Sequence, residues 1–317
     1  MPVLIIGAGL VGSQIARILV EQGERPTLLD QRFQREALGQ IVDLDKVDLV
    51  EGDILRPLTL SQAICKAGIT SIVHTAAHPM LTLGAARDPY AAIQLNIMGT
   101  VNVLDAARVH GVKRVVVSSS SVLNGHMAGG EDGGDLTREE AFPRPSTFYA
   151  ATKQAVESIG HNYAAIGIEF AAMRYGPVAG PWGGPGGGGP TVMFRDMMDA
   201  AIAGREAVVP SAALEWVYSK DAARGTVMAL QAQSLPSRVF NITMGTATTA
   251  DELAAALKEV FPGVKIRQDK NNVPSSARAK PAEITRAKKI LGYEPQYPIV
   301  AAMRDYLEWS RKFAART

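Results

Sequence analysis

Apolar residues in the first two-thirds of the chain follow two alternating rhythms. Short solid runs recur: "VLII" at residues 3–6, "PTLLD" at 26–30, "VDLVEGD" at 47–53, "SIVHTAA" at 71–77, "KRVVVSSS" at 113–120 and "EFAAMRY" at 169–175. Runs of this length that stop at glycine or polar residues predict strands buried on both faces. Between them apolar residues return at helical spacing. Val11, Ile15, Ile18 and Leu19 share one face of a helix ending near Gly23, "LSQAICKAGI" forms a second helix, and Ile93, Ile97, Val101 and Leu104 mark a longer one stopping at Gly111. Alternation of this kind predicts a parallel sheet with helices on both sides.

The order breaks at residues 176–190, "GPVAGPWGGPGGGGP", too rich in glycine and proline for a regular element. The segment reads either as a linker or as a mobile cover, and its place after a strand end, where ligands bind in such sheets, favours the cover. Further on, "RVFNIT" is a strand, Thr249 and Glu252 form a capping-box pair at a helix start, and "AAMRDYLEWSRKF" is a closing amphipathic helix. The expected architecture is α/β: a Rossmann-type doubly wound parallel sheet with a smaller, mostly C-terminal α/β substrate-binding region. Residues 1–175, with 215–243 returning to them, would form the dinucleotide-binding part, and 176–214 with 244–317 the substrate-binding part.

Composition narrows the class. Among 317 residues 47% are apolar and 20% charged, and the net charge is +2, so neither nucleic acid nor an anionic membrane is required as partner. The single cysteine, Cys65, has no internal disulfide partner and is expected as a core thiol. No apolar run is long enough to span a bilayer, and "MPVLII" reads as a first strand rather than an export signal, which makes a cytoplasmic protein the expectation. No His/Cys/Asp cluster has metal-ligand spacing, so no metal is expected.

The candidate chemistry lies at the strand ends. Gly7, Gly9 and Gly12 join strand one to helix one: the first allows the tight turn, the second lets backbone approach pyrophosphate, and the third lets helix pack on strand. Leu10 and Val11 complete the turn, whose free amides suit phosphate. Asp30 closes strand two, where a carboxylate accepts a ribose diol and repels a 2′-phosphate; NAD is therefore expected over NADP, with Arg32 and Arg35 moderating the preference. Tyr149 and Lys153 stand four apart on one helix, downstream of the serine run 118–121. A free tyrosine ionises near about 10, and a neighbouring ammonium lowers that value towards the range of a useful base.

The stretches "EGDI", "VHTAA", "NIMGTVNVLDAA", "VVVSSSSVLNG", "YAATK", "MRYGPVAGP", "WVYSKDAAR", "FNITMGTATTADEL" and "EITRAKKILGYEP" together resemble the extended short-chain dehydrogenase/reductase superfamily, its NAD-dependent epimerase/dehydratase group. The resemblance implies Ser120 as the catalytic serine, Tyr149 as acid/base and Lys153 as its partner. It places Asp53 and Ile54 at the adenine, Ala76, Ala77, Ser118 and Tyr175 along the cofactor, and Asn96 behind the active-site helix. It also implies a homodimer through the helices containing residues 96–108 and 149–163. Candidate substrate residues are His78, Ser120, Ser121, Pro177 and Trp182, with Met80, His126 and Met127 in nearby loops.

Departures from the group bear on the substrate. Its nucleotide-sugar members usually carry asparagine at the place of Pro177 and, at the place of Leu214, an arginine that grips the diphosphate. Arg195 and Arg205 are other basic residues that could take such a role, but exposed arginines are usually solvated, and solvated helix-face charges are the preferred reading of both. Dehydratases carry an Asp-Glu pair where this chain has Ser121 and Val122, which removes the proton carriers for water elimination. The preferred reading is thus an NAD-dependent oxidoreductase acting on a small non-nucleotidyl secondary alcohol, such as a sugar acid, polyol or cyclic alcohol. The alternative is a nucleotide-sugar epimerase working through a transient ketone. A cofactor-sensing regulator without chemistry is a third reading, opposed by the retained Ser120, Tyr149 and Lys153.

Overall fold

The computed structural model describes residues 1–123, 137–140, 143, 145–269 and 281–314; His126 and Met127 lie outside them. The strands are β1 (Val3–Ile6), β2 (Thr27–Asp30), β3 (Asp48–Glu51), β4 (Ser71–His74), β5 (Arg114–Ser120), β6 (Glu169–Tyr175), β7 (Val178–Ala179), β8 (Ala207–Pro210), β9 (Val217–Tyr218), β10 (Val239–Ile242) and β11 (Ile266–Asp269). Seven form one parallel sheet in the order β10-β6-β5-β4-β1-β2-β3. The chain runs outward from β1 to β3, then crosses back to β4 on the other side of β1. That reversal opens a crevice at the carboxyl ends of β1 and β4, the place where such sheets bind ligands.

The helices are α1 (Leu10–Glu21), α2 (Arg35–Gly39), α3 (Pro57–Ala67), α4 (Leu81–Arg87), α5 (Pro89–Ile93), α6 (Gly99–Val109), α7 (Phe148–Ala165), α8 (Gly189–Ile202), α9 (Ser219–Gln231), α10 (Ala250–Val260), α11 (Thr285–Leu291) and α12 (Ile299–Ala314). Strand residues alternate between two cores. Val3, Ile5, Val73 and Val116 meet α1 and α9 on one face, while Leu4, Ile6, Ile72 and Val115 meet α3, α6 and α7 on the other. A third core gathers Phe194, Met197, Leu214, Trp216, Leu257 and Tyr306 from α8, α10, α12 and the β8–β9 stretch. The expected capping box is present: Thr249 and Glu252 bond each other's backbone amides.

Three local expectations need correction. Cys65 is exposed, with Sγ 3.4 Å from His110 Nδ1. The buried face of α3 is Leu60, Ala63 and Ile64, and one further residue turns Cys65 about 100° away from it. The long helix at 91–111 is interrupted by a π-helical stretch, Gln94–Met98, between α5 and α6. The extra residue per turn shifts the phase, so Ala92, Asn96, Thr100, Val103 and Leu104 face inward while Ile93 is exposed. The glycine-rich segment also holds β7 and the start of α8, whose Gly189–Pro190 opening suits proline in the first turn.

Candidate active site

The crevice is one cleft of about 1020 Å³, running from the glycine turn past β5 and α7 to the glycine-rich loop and α8. At its first end Gly7 has φ +97°, and a Cβ there would lie 2.7 Å from the Ala76 amide nitrogen. A Cβ on Gly12 would lie 1.8 Å from the Gly7 carbonyl oxygen, whereas a Cβ on Gly9 would meet no protein atom within 4 Å. Gly7 and Gly12 are thus required by the protein itself, and Gly9 leaves open the path of a ligand. The Gly9 cap makes no side-chain bond to α1, so the amides of its first turn remain free for an anion. These features fit a dinucleotide. Asp30 stands at the end of β2, its Oδ2 accepting from the Ala8 amide at 2.8 Å and its Oδ1 from the Arg32 amide at 3.2 Å.

Leu10, Val11, Ile54, Ala76, Ala77, Ser118 and Tyr175 line the same cleft. Asp53 does not: its carboxylate accepts the Leu55 amide at 2.8 Å, a turn bond that holds it off the cleft wall. Thr75, which sequence reasoning missed, bonds the Ile6 and Gly7 carbonyls and pins the turn.

Midway along the cleft, β5 meets α7. Thr147 caps α7 through the Ala150 amide, placing Tyr149 in the first turn. The Tyr149 ring packs against Ala85 and Ala92, with the Ser120 hydroxyl beside its phenol. Burial pushes the phenol up to about 12, and the Ser120 hydroxyl opposes that rise. The Lys153 ammonium lies 5.8 Å from the Tyr149 ring centre and donates to the Ser118 carbonyl at 2.7 Å and hydroxyl at 3.3 Å. Burial pulls this lysine down to about 8. Asn96 lies behind, outside the cleft lining. Its Oδ1 accepts the His78 amide and its Nδ2 donates to Thr152, whose hydroxyl in turn bonds the Tyr149 carbonyl.

The far end holds His78, Ser121, Pro177 and Trp182 with Leu81, Leu95 and Met193. Trp182 is buried and donates to the Pro185 carbonyl at 3.0 Å. Met80 and Leu81 take φ of +59° and +44°, conformations that side chains rarely adopt and that gather at binding sites. Leu214 is not part of the wall. It is fully buried in the third core, its backbone paired with Thr248, so its apolar character serves packing. Arg195 lies 3.9 Å from Asp196, and Arg205 lines a smaller cavity that shares Met193 and Asp196 with the main cleft. Among the described residues no three His, Cys, Asp or Glu side chains converge on a metal position, and no helix is long and apolar enough to cross a membrane.

A glycine turn at a sheet's switch point, with a tyrosine, lysine and serine gathered at the next strand, is the arrangement of the extended short-chain dehydrogenase/reductase fold. The sequence matches the NAD dependent epimerase/dehydratase family over residues 3–243, and the chain belongs to that family. It is an NAD-dependent enzyme of that type. It is 25% identical to UDP-glucuronate 4-epimerase 6 of Arabidopsis thaliana, over 98% of this chain and 71% of that protein. It is 26% identical to UDP-glucose 4-epimerase of Halalkalibacterium halodurans, over 96% of this chain and 94% of that one. Among solved structures, the UDP-glucose 4-epimerase of Thermus thermophilus in complex with NAD superposes with a TM-score of 0.82 at 23% identity, covering 99% of this chain and 100% of that one.

These relatives overturn the preference for a small non-nucleotidyl alcohol. That preference rested on Pro177 and Leu214, yet proteins that act on nucleotide sugars match this chain almost end to end. Leu214, moreover, does not face the cleft.

Proposed function

We propose that the chain is a nucleotide-sugar 4-epimerase that inverts a secondary alcohol of a UDP-hexose or UDP-hexuronate through a transient ketone. The supporting observation is the continuity of the cleft. A single space joins the dinucleotide turn, the Tyr149–Lys153 pair and a long far wall, with room for a substrate larger than a small alcohol. NAD, when bound, would supply reversible hydride acceptance without net turnover of the cofactor. Gly7, Gly9, Leu10, Val11 and Gly12 would hold its phosphates, and Asp30 its adenosine ribose.

The chain's own residues handle the proton. Tyr149 takes it from the sugar hydroxyl as the ketone forms and gives it back when the alcohol is restored. Ser120 donates to the same sugar oxygen and keeps it against the phenol. Lys153 favours the phenolate by its charge, opposing the burial that raises the phenol to about 12. Trp182 and the Gly186–Gly189 backbone close the far wall and exclude water from the ketone. In this reading residues 1–175 and 215–243 carry the cofactor, and 176–214 with 244–317 carry the nucleotide sugar.

The chain also pairs with a second copy in this proposal. Tyr90, Ile93, Met98 and Phe148 stand exposed on α5, the π-helical stretch and α7, apolar side chains that a second copy would cover. The deciding experiment for the activity incubates the NAD-loaded enzyme with UDP-glucose and UDP-glucuronate and follows the anomeric protons by NMR. Appearance of the 4-epimer without NADH accumulation is the expected result. No conversion of either sugar by enzyme that binds NAD would refute the reading.

A further inference from the structure

Three consecutive serines of β5 meet three different side chains of α7. Ser120 faces the Tyr149 phenol, Ser118 receives the Lys153 ammonium, and Ser119 donates to Glu157 Oε1 at 2.5 Å. The three helix residues follow each other at intervals of four, so they stand on one face of α7. Two of these contacts belong to the reacting pair; the third has no part in the chemistry described above.

Glu157 is also held from β6. Arg174 grips it with Nε to Oε1 at 2.9 Å and Nη2 to Oε2 at 2.8 Å, and donates from Nη1 to the Glu139 carbonyl. Glu157 and Arg174 are 5% and 2% exposed. A pair this deeply buried contributes little net stability, because desolvation offsets its attraction and apolar residues could fill the same space. What the forked pair supplies is direction and charge at a fixed point. That point lies one helical turn beyond Lys153.

We propose that Glu157 is a positioning residue for the reaction: its carboxylate, clamped by Ser119 and Arg174 one turn beyond Lys153, holds Lys153 as an ammonium. The groups around Lys153 leave this task to Glu157. His74 on β4 is neutral, held down to about 3 by burial and by Lys153 itself. Tyr149 on α7 and Tyr175 on β6 are buried phenols pushed up and uncharged. Among the described residues Arg174 is a further cation, paired with Glu157. Glu157 is accordingly the influence that raises Lys153 against burial.

The inference rests on the reading of Tyr149 and Lys153 as the reacting pair, but its test needs no substrate. Protein labelled with 13Cε-lysine is titrated by NMR, and the Lys153 signal is the one missing from Lys153→Met. Glu157→Gln keeps an acceptor for Ser119 and Arg174 while removing the charge, and is expected to lower the Lys153 midpoint by about one pH unit. Glu157→Asp restores it, and Ser119→Ala leaves it in place. If Glu157→Gln does not fold, Arg174→Gln keeps a donor for Glu157 while removing the cation paired with it, and is expected to raise the Lys153 midpoint. An unmoved midpoint in the variant that folds overturns the proposal, as does an equal fall in Ser119→Ala, which would trace the effect to helix register alone. Absence of epimerisation of every sugar by the wild-type enzyme, alongside a lowered midpoint in Glu157→Gln, would reject the substrate reading and leave the role of Glu157 standing.

Discussion

Gly9 and Gly12 lie three residues apart in one turn, yet an added methyl should act on each in a different way. At Gly12 the methyl carbon would lie 1.8 Å from the Gly7 carbonyl oxygen, 3.0 Å from that carbonyl carbon and 3.1 Å from Thr75 Oγ1. The first contact must open by more than an ångström, and its partner is backbone held by the turn, so α1 has to move off β1. Overpacking of this kind costs about 1–3 kcal/mol, which lowers Tm by roughly 2–10 °C at this size. At Gly9 the same methyl meets nothing in the protein, and the backbone (φ −86°, ψ −157°) is open to alanine. The weaker helix cap is offset by the reduced freedom of the unfolded chain, so Tm should stay nearly unchanged. The methyl would instead stand where pyrophosphate approaches. Losing one charge-assisted amide bond, worth about 1.5–3 kcal/mol, weakens NAD binding by roughly 10- to 150-fold. Calorimetric scans of cofactor-free Gly9→Ala and Gly12→Ala, with titration by NAD, separate the two effects. Wild-type NAD affinity in Gly9→Ala would refute the placement of the pyrophosphate, and an unchanged Tm in Gly12→Ala would refute the packing argument.

Other expectations follow from the same geometry. Tyr149→Phe, which deletes one oxygen from a packed ring, should leave Tm close to wild type while cutting kcat about 10²–10⁴-fold, measured by the NMR conversion assay. Retained turnover would remove Tyr149 from the chemistry. His74 is buried and neutral with its folded-state value near 3 against an ordinary 6.5. The unfolded chain binds the proton first, so stability is complete above about 6.5 and falls as pH drops towards 3, by up to about 1.4 kcal/mol per pH unit. Urea unfolding at pH 7, 5.5 and 4.5 should show this slope, and His74→Gln should flatten it; an equal slope in the variant would place the acid sensitivity elsewhere. Ile93→Asp with Met98→Glu should convert a dimer to a monomer in sedimentation velocity without lowering NAD affinity, whereas a monomeric wild type would dismiss the proposed pairing.

Much of the site is legible in short stretches of sequence because local rules suffice there. Gly7, Gly9 and Gly12 sit at a strand-to-helix turn where backbone geometry dictates glycine, and Tyr149 and Lys153 share a helix face at any interval of four. Glu157 continues that interval and was within reach of the same reasoning. Its partners were not: Ser119 is 38 residues away and Arg174 lies on another strand. Leu214 misled for a related reason. Its place in a motif suggested a lost phosphate contact, but whether a side chain faces a cleft or a core depends on which elements pack around it.

Taken alone, the sequence determines the alternation of strands and helices, the parallel sheet and the glycine turn after β1, all carried by periodicity and backbone sterics over a few residues. Tertiary structure alone decides that Cys65 faces solvent, that a π-helical stretch swings Asn96 inward to Thr152, and that one cleft joins the glycine turn to Trp182 and α8. It also decides that the three serines of β5 are shared among Tyr149, Lys153 and Glu157. The division has a physical origin. Local patterns fix which face of an element is apolar, but the partner of each polar side chain is set by packing between segments far apart in the chain, where burial and hydrogen bonding are settled together.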